Sequence, residues 1–81
     1  MKFYYTYALK SKVDQKFYIG WTDNLKQRVE KHNAGKVKST VLRRPFELIY
    51  FEACLNKKNA IEREKQLKTG FGRKYIKQRV R

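Results

Sequence analysis

Acidic residues are scarce in this chain of 81 residues: 7 Asp and Glu stand against 21 Lys and Arg, a formal charge of +14. That surplus makes a compact fold repel itself and favours a polyanionic partner. It excludes an acidic mimic and argues against a purely structural role. Cysteine occurs once, as Cys54, which rules out an internal disulfide and a thiolate metal cluster. Between Ala53 and Leu55 it reads as a small core residue, and the lone thiol fits a reducing, cytoplasmic compartment. Proline occurs once and glycine four times, and no repeat, linker or low-complexity tract interrupts the chain. No apolar run approaches the ~18 residues of a spanning helix. The stretch Phe3–Leu9 after Lys2 alternates, ends at Lys10 and lacks a small-residue cleavage site, so it reads as a strand and not a signal peptide. With no amphipathic helix to support a membrane-surface role, nucleic acid is the expected partner.

What is present suffices for one small domain over residues 1–81: a 41% hydrophobic share with six Tyr, five Phe and one Trp. A domain of this size buries only about 60% of its unfolded surface, so modest stability is expected. Phe3, Tyr5, Tyr7 and Leu9 alternate with Tyr4, Thr6, Ala8 and Lys10, which predicts a strand. Ser11–Gln15 is a polar turn, and Lys16–Trp21 alternates again, completing an antiparallel hairpin. A helix capped by Thr22 or Asp23 follows, with Leu25 and Val29 inward and Gly35 as its stop. Residues 36–44 form a basic loop without clear period. Pro45 opens a third strand, Phe46–Cys54, apolar on both faces and expected to be covered on both. Asn56 caps a second helix with Ala60, Ile61 and Leu67 inward, ending at Gly70, and Arg73–Arg81 reads as a short basic helix. The fold class is α+β: a three-stranded antiparallel sheet flanked by helices, in the order ββαβαα.

Three features break this pattern. Glu64 projects from the apolar face of its helix, where a half-buried carboxylate needs a cation or a metal. The plain alternative is an inward ion pair with an Arg. Arg28 and His32 share a flank beside the apolar stripe. A guanidinium there suits bidentate phosphate binding, or is a solvated helix charge, while a lone His is more often a structural hydrogen-bonder. Tyr18 and Gly20 share the less apolar face of their strand, and a strand glycine often marks close approach of a ligand or another backbone.

Taken together, these residues resemble the GIY-YIG nuclease domain. Tyr18-Ile19-Gly20 reproduces the second half of the name, and Tyr5-Thr6-Tyr7 stands where the first half belongs, keeping its final tyrosine. Arg28-x-x-x-His32-Asn33, Arg43-Arg44-Pro45 and Ala60–Lys65, with a glutamate at the metal position, follow in the family's order. The resemblance covers essentially the whole chain and is nearest to the small stand-alone branch, similar to the N-terminal domain of the excinuclease C subunit. It implies hydrolysis of a DNA phosphodiester with Tyr7, Tyr18, Arg28, His32 and Glu64 as catalytic residues. It further implies one divalent ion, Mg²⁺ or Mn²⁺, on Glu64. A single carboxylate leaves such an ion leaning on substrate phosphates, so weak binding without substrate is expected. Arg28 clamps the phosphate in this reading, and a tyrosine or His32 activates the nucleophile. Which of Tyr7, Tyr18 and His32 is the base stays open. A site this cationic is expected to lower a tyrosine's pKa. Two departures stand out. Ser39-Thr40 occupies the loop position where relatives often carry Tyr or His, and no asparagine follows Gly70 near the C-terminus.

The remaining charge fits a DNA path: Lys36, Lys38, Arg43 and Arg44 from the loop, with Arg73, Lys74, Lys77, Arg79 and Arg81 from the tail. No groove-reading module is visible, so low sequence specificity is expected, with structure or a partner directing the cut. A homodimer or a targeting partner is left open by the sequence. The competing reading is a basic nucleic-acid-binding module that cuts little. Both readings use the same basic residues; only the Tyr7, Tyr18, Arg28 and Glu64 set separates them.

Overall fold

The computed structural model describes residues 1–80; Arg81, expected to end the last helix and extend the basic tail, lies outside them. β1 (Tyr4–Ser11) and β2 (Phe17–Thr22) form the expected hairpin, and α1 (Leu25–Asn33) follows. β3 (Phe46–Cys54) rejoins the sheet, and α2 (Lys57–Leu67) and α3 (Gly70–Arg79) come last. The order is ββαβαα on an antiparallel sheet arranged β2-β1-β3. The α+β expectation therefore holds.

The sheet divides the core in two. Ala8, Ile19, Leu67 and Ile76 are buried on the face that carries α2 and α3. Tyr7, Leu9 and Phe46 are buried on the other, against Leu25 and Val29 of α1. β1 is central, so Thr6, Tyr7, Ala8 and Leu9 are all buried. β3 was expected to be covered on both faces, but it is an edge strand with Glu47 exposed and Phe51 51% exposed. Length explains the exposure of Phe51: nine strand residues span about 30 Å and nine helical ones about 14 Å, so α1 shields only part of its face, while Glu47 points to the opposite face.

Local chemistry sets the boundaries. Neither Thr22 nor Asp23 caps α1; Asn24 does, accepting the Gln27 N–H at 3.1 Å, while Asp23 is drawn off to Lys2. Gly35 stops the helix as expected, with φ of 76° and the Arg44 guanidinium packed where a Cβ would stand. The loop that follows contains a 3₁₀ turn, Val41–Arg43. Asn56 caps α2 as expected, through its side-chain oxygen. That helix buries Ala60 and Leu67, leaves Ile61 half-buried and ends at Leu67, short of Gly70. Gly70 begins α3 instead, with Thr69 as its cap, so this helix starts three residues before the expected Arg73. The reason is packing: Gly72 lies against the Leu67 backbone, leaving no room for a side chain. No helix of the described residues is long and apolar enough to cross a membrane.

Candidate active site

Tyr7 lies at the centre of β1, paired with Gly20 on β2 and Phe51 on β3. Its ring lies across Gly20, where a Cβ would stand 2.5 Å from the phenol oxygen. The close approach that Gly20 was expected to mark is therefore that of a neighbouring side chain. The missing methyl lets the phenol cross the edge strand toward α1.

There it meets His32. Tyr7 Oη lies 3.0 Å from His32 Nε2, and His32 Nδ1 lies 2.8 Å from Thr40 Oγ1. The Thr40 hydroxyl donates onward to the Val37 carbonyl at 3.3 Å. This network assigns the tautomer: Thr40 accepts from Nδ1–H, so Nε2 accepts the Tyr7 proton. Burial, reinforced by the Arg28 charge, lowers the His32 pKa to about 4, so the imidazole is neutral at pH 7. Tyr18 packs edge-on against His32, ring centroids 5.0 Å apart, and further fixes its orientation.

Tyr7 itself departs from expectation. Its pKa is raised, because burial outweighs the pull of the neighbouring Arg28; the charges of Tyr18 and Glu64 push the same way as burial. The phenol is thus protonated at neutral pH and acts as a donor to His32. Arg28 is half-buried, and its Nε is buried with no hydrogen-bond partner among the described residues. A solvated helix charge would not be orphaned in this way. Glu64 on α2 lies near enough for its charge to act on the same phenol, and its side chain is 18% exposed. Its ion-pair partner is not an Arg but Lys68, the residue just past the end of α2, 3.5 Å away and itself well exposed. Tyr7, Tyr18, Arg28, His32 and Glu64 therefore converge from β1, β2, α1 and α2.

Two further residues hold this arrangement. Thr40 is buried and anchors His32. It sits in a loop without periodicity, where the sequence shows only that neither Tyr nor His is present. Asn33 accepts the Phe46 N–H at 2.7 Å and donates to the Phe46 carbonyl at 3.1 Å, tying the end of α1 to the start of β3.

The basic residues divide. Arg43 is held by Asp14 at 2.9 Å and by the Lys16 carbonyl, Arg44 by the Val41 carbonyl, and Arg79 stacks on Tyr75. Lys36 and Lys38 are exposed on the loop. Arg73, Lys74 and Lys77 are exposed together on α3.

The family model for the GIY-YIG catalytic domain matches residues 3–77. The chain belongs to the GIY-YIG family. Among similar GIY-YIG relatives, a UPF0213 protein of Clostridium perfringens (strain 13 / Type A) is 46% identical over 65 residues, covering 79% of this chain and 69% of its own. A UPF0213 protein of Staphylococcus haemolyticus is 43% identical over 67 residues, with 82% and 80% covered. The solution NMR structure of a UPF0213 protein from Bacillus halodurans superposes with a TM-score of 0.57 at 31% identity, covering 91% of this chain and 81% of that one. The small stand-alone branch is thus the right comparison, and the nuclease family follows from the domain.

Proposed function

We propose that this GIY-YIG protein is a metal-dependent endonuclease that hydrolyses DNA phosphodiester bonds with little sequence specificity. The orphaned Nε of Arg28 carries the reading. A buried guanidinium nitrogen without an acceptor costs stability unless a ligand supplies one, and a phosphate oxygen has the charge and geometry to do so. Placed beside Tyr7, Arg28 would bind the scissile phosphate and offset charge growing in the transition state.

The proton path follows from the assigned tautomer. As a water attacks phosphorus, its proton passes to the Tyr7 oxygen while the Tyr7 proton moves to His32 Nε2. The P–O bond to the leaving oxygen breaks, and that oxygen is protonated from solvent. His32 is a weak base in the free protein partly because of the Arg28 charge. A phosphate paired with Arg28 offsets that charge and raises the basicity of His32 when substrate is bound. Proton transfer of this kind contributes about 10²–10⁴ in rate.

Glu64 is the residue that would hold a divalent ion, Mg²⁺ or Mn²⁺. The described residues contain no cluster of three His, Cys, Asp or Glu suited to a metal. A single carboxylate whose charge reaches Tyr7 fits a hydrated ion shared with substrate, and predicts weak binding without DNA. When bound, the ion would supply Lewis-acid stabilisation of the leaving oxygen. Exposed Lys36, Lys38, Arg73, Lys74 and Lys77 would contact phosphates of the flanking DNA.

The test is cleavage of supercoiled plasmid and of branched and single-stranded oligonucleotides with Mg²⁺ or Mn²⁺, comparing wild type with Glu64→Ala. Metal-dependent cutting that disappears in the variant supports the endonuclease. If neither protein cuts while both bind DNA equally, the binding-module reading replaces it.

A further inference from the structure

A groove of about 640 Å³ opens on the sheet face opposite His32, between the start of β2, the end of α2 and α3. Phe17, Ile19 and Leu67 form its floor, while Lys16, Arg73 and Lys77 stand at its rim. Asp14 and Arg43 also line it, but they are paired with each other at 2.9 Å and cancel. Arg73 and Lys77 lie at i, i+4 on α3, and neither has a carboxylate partner among the described residues. Like charges at that spacing destabilise a helix. A second, shallower depression shares both residues and adds Lys74, so the cationic track continues along α3.

The combination of floor and rim selects the ligand. A duplex presents phosphates with its base faces stacked away, which would leave the apolar floor unmatched. An unpaired strand presents both phosphates and free base faces, the pairing that cationic grooves with aromatic residues recognise. Two elements also link the groove to the catalytic cluster. β2 turns Tyr18 to one face and Phe17 and Ile19 to the other, and α2 carries Glu64 one turn before Leu67.

We propose that this groove binds an unpaired polynucleotide strand, with a base stacked on Phe17 and phosphates held by Arg73 and Lys77. That the strand is the flank of the one being cut rests on the nuclease reading; the binding does not.

The test is fluorescence anisotropy without divalent metal, using a labelled oligothymidylate and a duplex of equal length. Phe17→Leu is expected to weaken single-strand binding about tenfold, the loss of one stacked base, and to leave duplex binding unchanged. Arg73→Gln with Lys77→Gln is expected to reduce the single-strand salt slope by about 1.4, roughly 0.7 for each contact. Circular dichroism checks the fold; if Phe17→Leu unfolds, the surface double variant decides alone. Unchanged single-strand affinity and slope, or a loss with Phe17→Leu that is equal on duplex, would overturn the proposal. So would displacement of the oligonucleotide by polyglutamate as readily as by unlabelled strand. Absence of metal-dependent cleavage by the wild type, with this binding intact, would refute only the nuclease reading.

Discussion

Gly20 and Tyr7 act as a pair: the absent side chain on β2 is the space the phenol occupies. Gly20→Ala places a methyl 2.5 Å from the Tyr7 oxygen. Such overpacking costs about 1–3 kcal/mol, and the displaced phenol loses its contact with His32. We predict that the variant stays folded by circular dichroism, unfolds at lower denaturant and cleaves at least about 100-fold more slowly. His32 makes a second prediction. Its folded pKa of about 4 lies below the ordinary 6.5. The unfolded chain therefore binds the proton that the native state refuses, so stability is full above pH 6.5 and is lost as pH falls toward 4. Denaturation at pH 7 and pH 5 should differ by about 2 kcal/mol from this group, and His32→Gln should flatten the dependence. The five residues that meet here stand at motif positions already visible in the sequence, because motif spacing is a chain property. Their protonation is not visible there. Charge is visible in a sequence and burial is not, and burial raises Tyr7 where charge alone predicts the opposite. Thr40 escaped for a related reason, since its role depends only on where a loop folds back.

At the scale of elements, the site depends on two side-chain ties between secondary structures. Asn33 satisfies both backbone groups of buried Phe46 and so fixes α1, with Arg28 and His32, against β3. Asn33→Ala leaves two backbone groups without partners and should cost about 2 kcal/mol in urea denaturation, with a larger proportional loss in cleavage than any exposed Lys→Ala on α1. On the opposite face, Arg63 of α2 chelates Glu52 of β3 at 2.9 Å while the Tyr50 hydroxyl donates to the same carboxylate at 2.6 Å. Burial alone would raise the Glu52 pKa, but these partners outweigh it and hold the carboxyl below its usual range. The element order was readable from periodicity and turn residues. Boundaries were less so. Gly70 reads equally well as a stop or a start until Gly72 is seen against Leu67, and the apolar run of β3 does not reveal that a nine-residue helix covers half of it.

Over the whole molecule, the +14 charge is the dominant physical fact. Ion pairs occupy Asp14, Asp23, Glu52 and Glu64, which leaves most Lys and Arg facing solvent and one another. Screening should therefore stabilise the fold. As ionic strength rises from 0.01 to 0.15 M the Debye length shrinks from about 30 to about 8 Å, and we predict a higher Tm by calorimetry. DNA affinity should fall over the same range, by about 0.9 in log–log slope per phosphate contact. A Tm that falls with salt would mean that attractive pairs outweigh the repulsion.

The central claim is that Tyr7 and Glu64, from different elements, serve one hydrolytic event. It is tested by single-turnover cleavage rates, with Mg²⁺ and enzyme in excess, for wild type, Tyr7→Phe, Glu64→Gln and the double variant. We predict that each single change slows the cut at least about 100-fold and that the double is no slower than the worse single, since groups acting as a unit are not additive. Wild-type rates in either single variant, with DNA binding retained, would contradict the account.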